Sequence, residues 1–248
     1  AVAPRPIALA STIDKNGNVN LSPFSFFNLF SSNPPILIFS PARRVRDNST
    51  KDTLHNVLEV PEVVIGNVNF DMVQQVSLSS TEYETGVDEF IKSGLTKKPA
   101  ELVKPPLIAE SPVNFECKVI EVKPLGNEGG AGNLVICEVL KIHIREEFLN
   151  EEGNLDQKKL DLVSRLGGNW YGRTTAETLF EVPKPLVTKG IGFDQLPSEI
   201  KNSKIFTGND LGMLANVEQL PEGNFSADEN LHLEAQKLLL EGKIEEAW

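Results

Sequence analysis

Four basic residues stand close together in a chain that is otherwise acidic. They fall within nine residues: Arg43, Arg44, Arg46 and Lys51. This segment follows a predicted strand and enters the first turn of a predicted helix, where a lysine opposes the helix dipole. A phosphate bound there would meet free backbone N–H groups, Lys51 and the hydroxyls of Thr50 and Thr53. The spacing indicates an anion site, and a solvated basic loop is the alternative that composition leaves open.

The segment SPFSFFN, residues 22–28, places a proline inside an aromatic strand. Pro23 cannot donate to a central ladder, so it predicts an edge strand or a bulge where backbone groups are free. A flat heterocycle with an amide-like edge needs such groups beside an apolar wall, which Phe24, Phe26 or Phe27 would supply. A half-buried aromatic strand without a ligand explains the same residues.

Composition limits the partners and the location that we expect. The 248 residues include 35 acidic and 24 basic ones, a net charge of -11, so the overall field repels nucleic acid and anionic membranes. No apolar run is long enough to span a bilayer, and the start, AVAPRPIALAS, lacks the regions of a signal peptide. We therefore expect a cytoplasmic protein without nucleic-acid or membrane partners, although Ala rather than Met at position 1 leaves targeting open.

Hydrophobic patterning predicts a mainly β fold with added helices (β+α). Turn residues separate the early strands, and two longer strands come later. The predicted strands are PIALASTI (6–13), NVNLSPFSFFNLF (18–30), PILIFS (35–40), EVVIGNVNF (62–70), VNFECKVIEV (113–122) and NLVICEVLKIHIR (133–145). The predicted helices cover about 50–59, with Leu54, Val57 and Leu58 as the apolar face, then 71–79, 86–93 and 156–165, the last ending at Gly167 and Gly168.

The two longer strands are expected to form a hairpin across the loop GNEGGAGN and to close the sheet. In the first strand, Val113, Phe115, Cys117 and Val119 alternate with polar residues, which indicates one buried face. In the second strand, the residues grouped on one face are Leu134, Ile136, Leu140, Ile142 and Ile144. Cys117 and Cys137 lie within these apolar segments and are expected to be reduced core residues.

Several early strands, one helix within them and a late hairpin argue for an antiparallel, Greek-key-like barrel with helical insertions. The predicted domain covers residues 1–176, and a C-terminal extension covers 177–248. In the extension, PKPLVTKGIGF (183–193) has the composition of a linker. The tail from Ser226 to Trp248 is predicted to be an amphipathic helix docked on the body or on a second subunit.

The sequence lacks the motifs of several other classes of site. No G-x-G-x-x-G follows a strand, and neither a Walker pattern nor a G-x-S-x-G elbow is present. His55, His143 and His232 have no carboxylate or thiol at ligand spacing, so we expect no metal site. His143 lies on the polar side of its strand, where it would line a groove or serve as a surface or interface histidine.

The motifs R-P-I-A-L-A-S-T-I-D, N-L-S-P-F-S-F-F-N, N-P-P-I-L-I-F-S and K-D-T-L-H-N closely resemble the flavin reductase-like family, whose fold is the FMN-binding split barrel. The resemblance continues through RLGGNWYGRT and covers about residues 4–176. It implies a homodimer with FMN in a groove at the interface, the phosphate near Lys51 and the ring along residues 20–26. The implied cofactor-binding residues are Ser11, Thr12, Asn20, Ser22, Pro23, Phe24, Ser25, Phe26, Asn28, Ser40, Arg43, Lys51, Asp52 and Thr53.

The resemblance also implies chemistry of the flavoredoxin or NAD(P)H:flavin oxidoreductase type. A hydride would pass from NADH or NADPH to flavin N5, and the electrons would continue to an acceptor, which could be a protein. Two alternatives keep the same fold: an FMN electron carrier reduced by a partner protein, and an FMN-binding protein without turnover. Trp170, Tyr171 and Arg173 are implied to approach the flavin or substrate, although plain packing accounts for them equally well.

Overall fold

A computed structural model of the protein describes residues 2–183, 185–186 and 189–248. It divides the chain into two units, residues 1–180 and residues 181–248. Residues 184, 187 and 188 of the predicted linker lie outside the described residues. None of the helices in the described ranges is both long and apolar enough to cross a bilayer.

The elements follow the predicted pattern in most of the first unit. The strands are β1 (Ala8–Ile13), β2 (Val19–Phe24), β3 (Phe27–Ser32), β4 (Pro35–Phe39), β5 (Glu62–Asn67), β6 (Lys97–Lys98), β7 (Leu107–Ile108), β8 (Val113–Pro124), β9 (Asn133–Ile144), β10 (Val163–Arg165) and β11 (Tyr171–Arg173). The helices are α1 (Asp52–Glu59), α2 (Val73–Ser79), α3 (Glu89–Ser93), α4 (Gln157–Leu160), α5 (Ser198–Lys201), α6 (Gly208–Leu214), α7 (Glu229–Leu240) and α8 (Ile244–Ala247). Short 3₁₀ helices cover Phe70–Met72, Glu146–Phe148, Ala176–Thr178 and Phe193–Gln195.

The main sheet has seven antiparallel strands in the order β2-β1-β5-β8-β9-β4-β3. Its two edge strands, β2 and β3, are consecutive in the chain and are joined only by Ser25 and Phe26. The sheet must therefore curl until its two edges meet at this link. Within the described residues no ladder joins β2 to β3, so the sheet is strongly curved but is not a closed barrel.

The hairpin of β8 and β9 is confirmed, but its predicted role in closing the sheet is wrong. β8 is the central strand of the sheet order and β9 is the strand next to it, so together they join the β2-β1-β5 side to the β4-β3 side. The buried face of β9 carries Val135 and Cys137, not the even-numbered residues that the prediction had grouped. A bulge at Leu140, which has no partner on β8, breaks the alternation that the grouping assumed.

Two apolar clusters lie on opposite faces of the curled sheet. The cluster inside the curve includes Phe24, Phe39 and Cys137, and α1 packs onto it through Leu54 and Val57. The predicted helix at this position is confirmed, whereas the third residue of its assigned face, Leu58, is exposed. The second cluster joins β1, β2 and β5 to α2 and α3, and its members include Leu9, Leu21, Val64, Val76 and Phe90.

The helix predicted over residues 156–165 is wrong beyond its first turn. It ends at Leu160, because Asp161 adopts the left-handed conformation with φ 47°. Residues 163–165 instead form β10, which pairs with β11 across Gly167 and Gly168. Those glycines therefore belong to a hairpin turn rather than to a helix end.

In the second unit, the predicted tail helix is confirmed as α7 and is followed by the short helix α8. Leu239 is buried, and Ala235 is partly buried, against apolar residues of α5 and α6 and the chain between them. The tail helix thus packs within its own unit, a partner that the sequence prediction had not considered.

A buried carboxylate fastens an irregular segment to the main sheet. Glu116 on β8 is fully buried, and its oxygens accept hydrogen bonds from the backbone N–H groups of Glu101, Leu102 and Val103. The ring of His143 on β9 contacts the same carboxylate. Burial alone would raise the pKa of Glu116, but these donors stabilise the charged form and hold the pKa below its ordinary value.

Replacing Glu116→Gln should lower the free energy of unfolding at pH 7 by about 2–3 kcal/mol, because it weakens several hydrogen bonds to a buried charge. Since the folded-state pKa is lowered, the stabilisation by Glu116 is present above the unfolded-state pKa and is lost as pH falls through the folded-state value. Urea unfolding measured from pH 7 downward should show the two proteins converging. Glu121→Gln, at an exposed position of the same strand, is the control, and an equal loss in both variants would contradict this role.

Candidate functional site

The predicted anion site lies at the N-terminus of α1, in a polar cleft that we call the anion cleft. Lys51 is the N-cap residue of the helix, and no side chain caps its first turn. The positive end of the helix dipole is thus left without a partner from a capping side chain. The cleft is lined by Asn20, Ser22, Arg44, Lys51, Asp52, Thr53, Ser79, Thr81, Glu82, Tyr83 and Glu89.

Lys51 carries a positive charge into a desolvated position. Its Nζ lies 3.4 Å from Ser22 Oγ and 5.5 Å from the centroid of the Phe24 ring. Within the described residues, no carboxylate oxygen lies within 4.0 Å of this nitrogen. Burial, and then the neighbouring Arg44 guanidinium, lower the pKa of Lys51. An anion between the two cations would offset both effects.

Arg44, and not Arg43, lines the anion cleft. The Arg43 guanidinium donates to Asn48 Oδ1 at 2.6 Å and to Asn48 O at 2.9 Å, and Asn48 itself adopts φ 59°. Arg43 therefore stabilises a left-handed turn rather than facing the cleft. Arg44 donates to Ser49 Oγ and to Thr50 O, both at 2.9 Å, and stands on the cleft wall.

Three carboxylates also line the anion cleft: Asp52, Glu82 and Glu89. Glu82 lies in the segment between α2 and α3, and Glu89 is the first residue of α3. Glu82 bridges Arg44 and Arg46 at 3.1 Å each, so the protein supplies its own anion to these guanidiniums. Glu89 accepts from Leu21 N at 2.9 Å, and burial raises its pKa. Sequence reasoning missed these residues because only folding brings that segment against α1.

The remaining polar residues predicted from the α1 region are held together by hydrogen bonds. Thr53 Oγ1 donates to Asn20 Oδ1 at 2.7 Å, and Asn20 Nδ2 donates to Glu89 Oε1 at 3.0 Å. Asp52 accepts from Thr85 Oγ1 at 3.2 Å. The structure thus brings Asn20 and Ser22, which the resemblance had placed along the ring, into the same cleft as Lys51, Asp52 and Thr53.

A second cleft, the ring cleft, lies at the link between β2 and β3. It has a volume of about 540 Å³ and is lined by Val2, Pro4, Arg5, Pro6, Ser25, Phe26, Phe27, Asn28, Phe30, Ile38, Ser40 and Leu134. Arg5 Nε donates to Ser25 Oγ at 3.3 Å, and the Arg5 guanidinium lies 5.8 Å from the Phe26 ring centroid. Ser22 lines the anion cleft and Ser25 lines the ring cleft, so the two clefts are three residues apart along the chain, at the end of β2.

Ser40 is a buried wall residue of the ring cleft whose hydroxyl has no partner in the described part of the chain. Buried polar atoms are normally hydrogen-bonded, so an orphaned hydroxyl at a cleft wall is suited to a polar ligand edge. Gly132 packs against it, since a Cβ at position 132 would lie 2.5 Å from Ser40 Oγ. Any larger residue there would displace the Ser40 side chain.

Other predicted site residues lie behind the clefts. Pro23 is on the edge strand β2, as predicted. Phe24 is buried inside the sheet, with its ring centroid 5.3 Å from that of Phe39, so it supports the site rather than lining it. Thr12 is buried and accepts from Asn56 Nδ2 at 3.1 Å, and Ser11 is buried opposite Leu21 and Val64. Neither hydroxyl is on the wall of the anion cleft or the ring cleft.

The reactive side chains that a nucleophilic or metal site would use are engaged elsewhere. Cys117 and Cys137 are buried free cysteines in the inner cluster, and burial raises the pKa of Cys117 to about 12. Within the described ranges, no three His, Cys, Asp or Glu side chains converge as a metal-ligand set. The two clefts are therefore arranged for binding by charge, hydrogen bonds and aromatic contact.

Comparison with known proteins places this geometry in a family. A family model described as "Flavin reductase like domain" matches residues 2–161. An uncharacterized protein of Aquifex aeolicus is 36% identical over 73% of this chain and 90% of its own length. An uncharacterized protein of Halalkalibacterium halodurans is 38% identical over 76% of this chain and 90% of its own length.

Solved structures share the fold. Nitrilotriacetate monooxygenase component B of Bacillus cereus has a TM-score of 0.67 and 27% identity, over 73% of this chain and 89% of its own. The 2-nitrobenzoate 2-nitroreductase of Pseudomonas fluorescens has a TM-score of 0.65 and 27% identity, over 80% of this chain and 89% of its own. Flavoredoxin of Desulfovibrio vulgaris, 21% identical with a TM-score of 0.62 over 75% of this chain and 93% of its own, is similar in fold. Since the family model covers more than half of the chain and both relatives exceed 30% identity, this protein belongs to the flavin reductase like domain family.

Proposed function

We propose that this protein binds FMN and catalyses its reduction by NADH or NADPH. The observation that carries the proposal is the position of Lys51, a desolvated ammonium at a helix N-terminus without a side-chain cap, with no carboxylate oxygen of the described residues within 4.0 Å of it. A phosphate is the ligand group that such a place favours. The ring cleft begins three residues further along the chain, just after the end of β2, which suits an elongated ligand with a phosphate at one end.

Arg44 and Lys51 would hold the phosphate, with the hydroxyls of Ser22 and Thr53 as further donors. The carboxylates of the anion cleft would not all repel a bound phosphate to the same extent. Glu89 is turned toward Leu21 N and Asn20, and Glu82 is an exposed partner of Arg44 that a phosphate would replace. Binding would therefore exchange one anion for another at Arg44 and add a partner for Lys51.

The ring cleft would hold the flat heterocycle. Phe26, 57% exposed, provides an aromatic surface, and the hydroxyls of Ser25 and Ser40 and the amide of Asn28 provide polar contacts. The chemistry that bound FMN supplies is two-electron transfer, in which a hydride passes from the reduced nicotinamide to flavin N5 and water supplies the balancing proton. The protein's part is to orient the two rings and to keep one ring face open.

The names of two similar structures support a reductase over the alternatives. One is a component of a monooxygenase and the other is a nitroreductase, and both are 27% identical to this chain. An electron carrier would need the same FMN site but a protein donor in place of nicotinamide. An FMN-binding protein without turnover would need neither donor.

We also propose that the protein is a homodimer, formed through the outer face of β3, β4 and β9. Asn28, Ile38 and Ile136 are cross-strand neighbours in one row of that face, and the apolar members are only half-buried. The row continues into the ring cleft, which Asn28 and Ile38 also line, beside the exposed Phe30. Apolar surface of this kind favours a self-complementary partner, and such a dimer would have the proposed FMN site at its interface.

Lys51→Met should weaken FMN binding about 10- to 100-fold, because it removes a charge-assisted contact worth about 1.5–3 kcal/mol. Riboflavin, which lacks the phosphate, should bind wild type and variant equally. Both affinities are measured by quenching of flavin fluorescence. Lys118→Met removes the same charge at an exposed position of β8 and is the control; equal weakening for riboflavin and FMN would show that Lys51 does not contact a phosphate.

Anaerobic addition of NADH or NADPH to the FMN-loaded protein should bleach the visible flavin band within the turnover time of an ordinary reductase. Dithionite should bleach it in every case, which controls for access to the flavin. A band that persists with both nicotinamides but bleaches with dithionite would favour the electron carrier or the binding protein. Failure to retain FMN at all would overturn the proposal.

Ile136→Glu should convert the dimer to a monomer, because a carboxylate would be buried in the proposed interface without a partner. Sedimentation equilibrium measures the mass, and FMN affinity should fall together with the dimer fraction. Leu102→Glu, at a residue 57% exposed outside that face, is the control. A wild-type protein that sediments as a monomer would contradict the dimer, while leaving the phosphate assignment to its own test.

A further inference from the structure

The hairpin of β10 and β11 forms one wall of a third cleft, which the proposed FMN site does not use. This hairpin cleft has a volume of about 520 Å³ and is lined by Phe70, Val73, Gln74, Ser77, Ser80, Val163, Arg165, Asn169, Tyr171, Gly172 and Arg173. The opposite wall is therefore α2 and the short helix before it. The hairpin itself is the VSRLGGNWYGR segment, residues 163–173.

The two arginines of the hairpin cleft have different partners. Arg173 donates to both oxygens of Asp161, at 2.7 and 2.6 Å, and its guanidinium stacks 3.7 Å from the Phe70 ring centroid. Its charge is thus already neutralised. The Arg165 guanidinium stacks 4.7 Å from the Tyr171 ring centroid and donates only to Trp170 O, at 3.2 Å. No carboxylate among the described residues lies within 4.0 Å of Arg165, so its charge is available to an anion.

The hairpin cleft adjoins the ring cleft through one pair of residues. Arg5 N donates to Arg165 O at 3.0 Å, and Arg165 N donates to Arg5 O at 2.8 Å. Arg5 lines the ring cleft and Arg165 lines the hairpin cleft, so the two side chains start from backbone positions about 5.5 Å apart. No carboxylate lines either the ring cleft or the hairpin cleft, although the chain has 35 acidic residues against 24 basic ones.

We propose that the hairpin cleft binds the adenosine diphosphate end of NADH or NADPH, with Arg165 contacting the phosphates and Tyr171 lying beside the adenosine. The proposal rests on the proposed function, since it assumes that the nicotinamide end reaches the ring cleft across the Arg5 and Arg165 pair. Stacked aromatic and guanidinium groups bind purines and phosphates together. Gln74, Ser77 and Asn169 supply hydrogen-bonding groups along the same cleft.

Aerobic steady-state assays, in which dissolved oxygen reoxidises the reduced FMN, compare NADH, NADPH and reduced nicotinamide mononucleotide and separate this subsite from the reaction itself. Arg165→Met should raise KM for NADH or NADPH at least tenfold while leaving kcat within twofold. It should leave both constants for the mononucleotide, which has no adenosine end, near the wild-type values. Equal changes for dinucleotide and mononucleotide would overturn the proposal.

Calorimetric titration of the protein with ADP-ribose gives a readout that does not require redox turnover or bound FMN. The wild type should bind ADP-ribose, Arg165→Met and Tyr171→Leu should each bind it at least tenfold more weakly, and Arg165→Lys should recover part of the affinity. Arg145→Met removes an exposed arginine outside the cleft and should have no effect. ADP-ribose binding that is absent, or equal in all variants, refutes this subsite, whereas loss of FMN binding or reduction alone refutes the proposed function.

Discussion

The two-residue link between the edge strands β2 and β3 is the constraint on which the rest of the structure depends. Because Ser25 and Phe26 alone join strands at opposite ends of a seven-stranded order, the sheet has to curl. Curling encloses the inner apolar cluster and brings α1, which follows β4, against β2 on the far side of the sheet order. The contacts of Lys51 with Ser22 and Phe24 are direct results.

The helix end that the curled sheet brings against β2 has an unusual concentration of positive charge. A chain with a net charge of -11 places Arg44 and Lys51 together at one helix end and keeps Lys51 partly desolvated, which lowers its pKa. Desolvating a lysine beside another cation costs free energy, and Glu82 and Glu89 offset that cost only in part, because the pKa of Lys51 is still lowered. A site that retains such an unfavourable arrangement is better suited to an anion brought by a ligand than to stability of the free protein.

Local chemistry could be predicted from the sequence, and long-range pairing could not. Some sequence features determine structure within a few residues of themselves. Pro23 predicted the edge strand, and the apolar spacing predicted the helix α1. Arg43 is turned away from the anion cleft because it donates to Asn48, which lies in a left-handed turn. The sequence of two adjacent arginines does not predict which of them faces the cleft. The bulge at Leu140 and the hairpin after Asp161 likewise depend on partner strands. A prediction that assumed regular periodicity therefore assigned the wrong buried face to β9 and extended a helix over residues 161–165.

Buried ionisable groups near the clefts are committed to the fold. Glu116 and His143 hold the 101–103 segment, and Glu89 holds the backbone of β2. Besides the carboxylates of the anion cleft, the three clefts present cations, hydroxyls and aromatic surfaces, which are groups that bind and orient ligands. Under the proposed function, the protein contributes by placing two ligands against each other, and its specificity resides in the shapes and charges of adjoining clefts.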